Sequence, residues 1–229
     1  MAPTRAVIIG TGYIAVKKHI AAFQKLKAAV SLDAVVDVDE EAAQRVAREF
    51  GIPRFYSDIS EMLQREKPDV VDVCTPPRTH TAIALQAINA NSHVLIEKPM
   101  AVSVKECDQI IAAARDHGVQ VSVAHTDLFY PPFAKARAAV SEGAIGEFRG
   151  MRIFLSTPTA YMTANEDHWA HGLPGGVIGE SGPHAVYLTL AFIDPIVQVG
   201  VVGSRFLDYP WSRFDLSLIH ISEPTRQAE

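Results

Sequence analysis

A β-branched run that stops at a glycine, with a second glycine two residues on, leaves a chain few ways to fold. Here Ala6-Val7-Ile8-Ile9 closes on Gly10-Thr11-Gly12-Tyr13-Ile14-Ala15, and a helical pattern through Ile14, His19, Ala22, Phe23 and Leu26 follows. That reads as strand, tight turn, helix. In such a turn Gly10 permits the bend, Gly12 lets the backbone approach a pyrophosphate, and Ala15 allows the helix to pack closely. The helix N-terminus then attracts the phosphate charge. A second apolar run, Leu32-Asp33-Ala34-Val35-Val36, ends at Asp37, where a carboxylate can accept hydrogen bonds from ribose hydroxyls. The pattern predicts a dinucleotide site made of Gly10, Thr11, Gly12, Tyr13, Ile14 and Asp37. Asp37 also repels a 2′-phosphate, and Val38 to Glu41 carry no Arg or Lys, so NAD is favoured over NADP. Arg45 remains as a cation that can reach back toward a 2′-phosphate.

The rhythm continues. Glu40 to Phe50 reads as an amphipathic helix ended by Gly51, Val70 to Cys74 as a strand, and Thr81 to Ala90 as a helix. His93 to Ile96 is then a strand, Val104 to Asp116 a helix, and Val119 to Val123 a last strand. Alternation of this kind predicts an α/β fold over residues 1–123, an N-terminal Rossmann domain with a doubly wound parallel sheet. After Ala124 the pattern changes to a helix from Pro132 to Ser141, a turn at Gly143 to Gly146 and an alternating run from Phe148 to Leu155. A polar, aromatic loop follows from Tyr161 to Trp169, then a helix from Gly179 to Phe192 and a strand from Val197 to Val202. Residues 124–215 are therefore predicted to begin an α+β substrate domain.

Composition narrows the classes of function. The 229 residues are 48% hydrophobic and 21% charged, enough for one full core and the start of another. A net charge of −5 argues against nucleic acid or another polyanion as partner. Two cysteines, Cys74 and Cys107, fit a reducing compartment rather than a disulfide framework, so a cytoplasmic location is expected. The first residues pass into a strand too soon for a signal peptide, and no apolar run approaches the length of a membrane span.

Two further segments are distinctive: Thr75-Pro76-Pro77-Arg78-Thr79-His80 after one strand, and Glu97-Lys98-Pro99 after the next. Together with the glycine turn, Pro131 and the Gly143 to Gly146 turn, they resemble the glucose-fructose oxidoreductase / inositol dehydrogenase / MocA (Gfo/Idh/MocA) family over nearly all of residues 5 to 150. The resemblance implies an NAD(P)-dependent oxidoreductase moving a hydride between the cofactor and a secondary alcohol of a sugar, inositol or related polyol. It also implies that Thr75, Pro76, His80, Glu97 and Lys98 lie at the cofactor, with Lys98 contacting the reacting hydroxyl, and that the second domain's sheet forms a homo-oligomer interface. Both motifs sit beyond the carboxyl ends of strands, where open parallel sheets bind ligands. The proline after Lys98 restricts its backbone, so its ammonium can be held in place.

Gly175-Gly176-Val177-Ile178-Gly179-Glu180-Ser181-Gly182-Pro183-His184 resembles the same family's second signature. Glu180 and His184 are four residues apart, on one face of a helix, so Glu180 is expected to orient His184 as general base. Glu180 stands where an Asp is common in the family, Tyr187 where a second Asp is common, and Pro183 interrupts the helix pattern. Those departures keep open a cofactor-binding regulator without catalysis. A member that cleaves glycosides with tightly held NAD is the third reading. His168 and Trp169 are expected at the substrate, with Trp169 stacking on a sugar face. His168, Trp169 and His171 lack the ligand spacing of a metal site, and no metal is expected. Finally, Leu216 to Arg226 resembles the conceptual translation of a transposon-end adapter used in DNA library preparation. Native sequence is therefore expected to stop near Asp215, leaving the second domain incomplete and residues 216–229 poorly packed.

Overall fold

The structure, a computed structural model, describes residues 2–155, 162, 164–193, 196, 198–204 and 216–222. The chain divides into two compact units, residues 1–124 and 125–229. The first is built on six parallel strands: β1 (Thr4–Ile9), β2 (Val30–Val36), β3 (Arg54–Tyr56), β4 (Val70–Val73), β5 (His93–Ile96) and β6 (Val121–Val123). They run in the order β3-β2-β1-β4-β5-β6. Strand order reverses between β1 and β4, which leaves a crevice beyond their carboxyl ends.

Both faces of this sheet are covered, which is why its strands read as unbroken apolar runs. Successive side chains point to opposite faces. Val7 and Ile9 join Val71, Val73, Val94 and Ile96 on one face, while Ile8, Val35 and Cys74 join Ala15 and Ile20 on the other. The covering helices are α1 (Ile20–Lys25), entered through a π-helical turn at Ala15–His19, then α2 (Glu40–Phe50), α3 (Ile59–Glu66), α4 (Pro77–Asn89) and α5 (Val104–His117). Asp39, Asp58 and Ser103 cap α2, α3 and α5 by accepting from backbone N–H groups in the first turn. Gly51 and Gly118 end α2 and α5 in the left-handed conformation.

Sequence reading missed β3 and α3. The strand has only three residues at the sheet edge, too few to show alternation. It is held by side chains instead, since buried Glu66 at the end of α3 accepts from Arg54 Nη2 at 2.7 Å and from the Tyr56 hydroxyl. Helix α4 starts at Pro77, four residues earlier than expected, because proline suits a first helical position whose N–H would go unused.

In the second unit, α6 (Pro131–Ser141) and α7 (Gly176–Leu190) are each preceded by a short 3-10 turn, at Thr126–Phe129 and Trp169–Gly172. The expected strand from Phe148 to Leu155 is corrected: that backbone forms no regular element. Alternation makes a strand only where a neighbour completes the ladder. Phe148 instead stacks on Phe192, with ring centroids 5.6 Å apart. The expected strand at Val197 to Val202 is present as β7 (Gln198–Ser204), paired antiparallel with β8 (Leu216–Ser222). Part of the segment expected to pack poorly thus has its backbone in a ladder. Of the expected loop from Tyr161 to Trp169, Tyr161 and Thr163 lie outside the described residues. Among the described residues no helix is long and apolar enough to cross a membrane.

Candidate functional site

The glycine turn lies at the end of β1. Gly10 has φ +96°, and a Cβ there would stand 2.7 Å from the Cys74 carbonyl oxygen, so this position admits only glycine. Gly12 is the opposite case, for nothing lies within 4 Å of where its Cβ would be. That open side, at the start of a helix with no acidic residue in the turn that follows, suits an approaching pyrophosphate. Tyr13 and Ile14 continue the turn into the helix, with Tyr13 exposed. Asp37, at the end of β2, accepts from Thr11 N–H at 2.8 Å and from the Thr11 hydroxyl at 2.7 Å, both on Oδ2. The other oxygen accepts from Asp39 N–H at 3.1 Å. A carboxylate has roughly four acceptor sites, so Asp37 can brace the turn and still take a ribose hydroxyl. These residues fit a dinucleotide. Asp37→Ala is expected to weaken NAD binding on the order of tenfold and to narrow the preference over NADP, since a hydrogen bond to a charged group is worth about 1.5–3 kcal/mol. Calorimetric titration with both cofactors checks this, and unchanged NAD affinity would leave Asp37 as a brace alone.

Thr75 and Pro76 follow β4, and Glu97 and Lys98 follow β5, so both motifs stand at the carboxyl end of the sheet. His80 ties them together. Its Nε2 lies 2.7 Å from the Thr75 carbonyl and its Nδ1 3.0 Å from the Pro99 carbonyl. The side chain is 0% exposed, and burial holds its pKa below the ordinary value against the pull of those carbonyls. The expectation that His80 contacts the cofactor is therefore corrected. A ring with no exposed surface shapes the two loops and offers nothing to a ligand.

Beneath them lies a group that sequence reading passed over. His19, on the π-helical turn, sits with Nδ1 2.7 Å from Asp72 Oδ2 and Nε2 2.9 Å from Glu97 Oε1. Glu97 Oε2 accepts from Lys98 N–H at 2.9 Å. Burial pulls the His19 pKa down, but hydrogen bonds with Asp72, Cys74 and Glu97 outweigh it and push it up to about 12. Burial raises Asp72, whereas for Glu97 the His19 contact overcomes burial and lowers it. The signal was an aspartate inside an apolar strand, Val70-Val71-Asp72-Val73, which must find a partner when buried. A histidine raised on folding contributes stability that is whole below its unfolded pKa near 6.5 and fades as pH rises toward the folded value. The melting-temperature gap between the wild type and His19→Gln is thus expected to be wider at pH 6 than at pH 9.5. Thermal scans at both pH values check this; a gap that widens with pH would contradict it.

In the second unit, α7 presents His184 to a carboxylate, but not the expected one. His184 Nδ1 lies 2.8 Å from Asp127 Oδ2 and 2.6 Å from the Tyr187 hydroxyl, which itself donates to Asp127 Oδ2 at 2.9 Å. Glu180 accepts from the Ser181 hydroxyl at 2.9 Å, and its charge is felt at His168, which burial and His171 lower and Glu180 raises. The expectation that Glu180 orients His184 is corrected to Asp127. A residue three positions along the helix, Tyr187, closes the group, and the His125 ring stacks on Tyr187 with centroids 4.3 Å apart. Because Asp127 can only accept, the network assigns the proton to His184 Nδ1 and leaves a lone pair on Nε2. His184 remains 25% exposed. Asp127 is 57 residues before His184, so no helical spacing could reveal it. Its place just past β6, at the carboxyl end of a strand, was the available hint.

Trp169 is 38% exposed, its ring 5.1 Å from that of His168, and the turn that carries it packs on α7. His168 Nδ1 accepts from Ala170 N–H, and His171 Nε2 meets the Met162 and Asn165 carbonyls, so one nitrogen of each ring is held by local backbone.

A glycine turn at the switch point of a 3-2-1-4-5-6 sheet defines the dinucleotide-binding Rossmann class. Residues 4–125 match the model of the oxidoreductase family with an NAD-binding Rossmann fold, and residues 133–217 match the Gfo/Idh/MocA C-terminal domain. The chain belongs to the Gfo/Idh/MocA family, and its cofactor is NAD. It is 32% identical over 167 residues to D-glucoside 3-dehydrogenase of Escherichia coli, covering 73% of this chain and 46% of that one. To D-apiose dehydrogenase of Paraburkholderia graminis it is 28% identical, over 88% of this chain and 52% of that one. The chain thus spans about half the length of these relatives. The WlbA dehydrogenase of Bordetella pertussis, solved with NADH and UDP-GlcNAcA, has the same fold, with a TM-score of 0.82 at 23% identity over 96% of this chain and 67% of that one.

Proposed function

We propose that this protein is an NAD-dependent dehydrogenase acting on a secondary alcohol of a sugar, inositol or related polyol. The observation that carries the reading is the 2.8 Å contact between His184 Nδ1 and Asp127 Oδ2, because it readies the other ring nitrogen to take a proton. When bound, NAD supplies the hydride acceptor. His184 Nε2 removes the hydroxyl proton; Asp127 holds the ring's orientation and stabilises the imidazolium that results. Tyr187 keeps Asp127 in place. The Lys98 ammonium stabilises negative charge developing on the substrate oxygen. Trp169, half exposed beside α7, offers an apolar face to a sugar ring. The two relatives named above are a glucoside and an apiose dehydrogenase, which supports a sugar-like substrate.

The departures at Glu180 and Tyr187, which kept a regulator open, lose their weight once Asp127 supplies the carboxylate. Following NADH formation with a panel of aldoses, glycosides and inositols tests the proposal. Turnover of at least one is expected; NADH binding without oxidation of any would overturn it, and sugar release without NADH formation would favour glycoside cleavage.

A further inference from the structure

The His19 group has no part in the reaction just described, yet it is linked through Glu97 to the backbone of Lys98. Its geometry calls for two protons along the line Asp72–His19–Glu97. A neutral imidazole has one N–H, and here each ring nitrogen faces a carboxylate oxygen, at 2.7 Å and 2.9 Å. With one proton, one of those contacts would set lone pair against lone pair; with two, both are hydrogen bonds. The hydrogen bonds that push the His19 pKa up to about 12 keep the second proton on the ring rather than on a carboxylate. An imidazolium therefore lies between Asp72 and Glu97, 7% exposed, with the Cys74 thiol donating to the other Asp72 oxygen at 3.6 Å. Lys98, adjoining Glu97, is a further charged group at its edge.

Packing alone does not call for such a group, since apolar residues of equal volume serve a core as well or better than a buried ion pair. What the ions connect is specific. Asp72 belongs to β4, His19 to the helix that opens at the glycine turn, and Glu97 to the turn after β5, where its free oxygen fixes the Lys98 N–H. The π-helical turn that ends at His19 is the local irregularity from which its ring reaches both carboxylates, and such turns recur at functional sites.

We propose that His19 is a positioning residue for Lys98: its imidazolium clamps Glu97 against Asp72, and Glu97 in turn fixes the backbone from which the Lys98 ammonium extends. The clamp also joins the Lys98 turn to the helix behind the cofactor turn, so the lysine and the cofactor site share one support. This rests on the dehydrogenase reading for its consequence in turnover, but not for its structural content.

Two measurements on His19→Gln test it. Glutamine carries its donors on one nitrogen only and has no charge, so the Asp72–Glu97 pair loses the positive charge that joins it. In turnover, kcat is expected to fall about ten- to hundredfold, as for a reacting group displaced by a fraction of an ångström to an ångström. NADH affinity changes less than about threefold, and the pH–kcat profile shifts because a buried positive charge has been removed next to Glu97. A lower melting temperature with kcat and pH profile unchanged would reduce His19 to a structural role and overturn the proposal. Independently of activity, reductive 13C-methylation of the lysines gives a Lys98 resonance, assigned by its loss in Lys98→Arg. It should shift in His19→Gln, and a resonance that stays put overturns the proposal.

A wild type that binds NADH yet oxidises no sugar or polyol sinks the dehydrogenase reading alone, and the Lys98 resonance still decides for His19. If His19→Gln does not fold, His19→Gln with Asp72→Asn removes one negative charge along with the positive one and is read in the same way. The His19, Asp72 and Cys74 donor atoms lie within 4.8 Å of one another, so elemental analysis belongs in the test. Stoichiometric bound metal would show that a cation, not a proton, joins them, and would overturn the proposal.

Discussion

His184→Ala is expected to lower kcat by about 10²–10⁴-fold while NADH still binds, the range that a general base contributes. The loss should fall on kcat rather than on KM, because the proton leaves in the transition state and not on binding. Asp127→Asn is the sharper variant. Its amide can donate to His184 Nδ1 as readily as accept from it, which would move the ring proton to Nε2 and remove the lone pair that does the work. A comparable loss, about 10²-fold or more, is therefore expected with little change in packing. Tyr187→Phe removes a donor to Asp127 and should cost roughly tenfold, the worth of one hydrogen bond to a charged group. Glu180→Gln should cost least of the four, since its carboxylate bonds Ser181 and not His184. Steady-state kinetics over a pH series ranks them. A Glu180→Gln loss equal to that of Asp127→Asn would return the orienting role to Glu180, and full activity in His184→Ala would remove the base altogether.

That ranking reverses part of what the sequence suggested, and the reason is physical. The first unit was legible because its information is local. The run Ala6 to Ile9, the glycines, Ala15 and Asp37 all act within a strand or a turn of where they stand in the chain, and the central strands bury apolar residues on both faces. The Thr75–His80 and Glu97–Pro99 segments were legible as motifs, but their internal wiring was not. His80 bonds across 19 residues to Pro99, and His19 across 53 and 78 residues to Asp72 and Glu97. No periodicity encodes such distances. The second unit depends still more on distant partners. Helical spacing nominated Glu180 for His184, whereas the fold brings Asp127 across 57 residues. Likewise the alternation from Phe148 to Leu155 was a correct reading of pattern that failed as a reading of structure, because a strand is a relation between two segments.

The largest effect expected in the first unit comes from a single methyl group. Gly10→Ala places a Cβ 2.7 Å from the Cys74 carbonyl oxygen, 2.8 Å from its carbon and 3.0 Å from Thr75 Cγ2, at φ +96°. Neither wall can step back freely. Gly10 N–H donates to the Val36 carbonyl at 2.7 Å, Cys74 N–H to the Ile9 carbonyl at 2.8 Å, and the Thr75 carbonyl holds His80. An L-residue at such a φ costs about 1–3 kcal/mol before any clash. For a chain of this size that lowers the melting temperature by at least about 3 °C. Any relaxation moves Thr75 and the turn it begins, so cofactor affinity should fall with stability, by about a hundredfold or more if 3 kcal/mol is lost at the site. Gly12→Ala separates the two effects. With nothing within 4 Å of the new methyl group and no positive φ to strain, the protein should melt like the wild type. A pyrophosphate drawn close to the Gly12 backbone would nonetheless meet that methyl group, and NADH binding should weaken about tenfold or more. Thermal melts and NADH fluorescence titrations of the pair decide the matter: Gly12→Ala with unaltered affinity would mean that the phosphates do not approach the turn at this residue, and an unstable Gly12→Ala would mean that the turn, not the ligand, requires the second glycine.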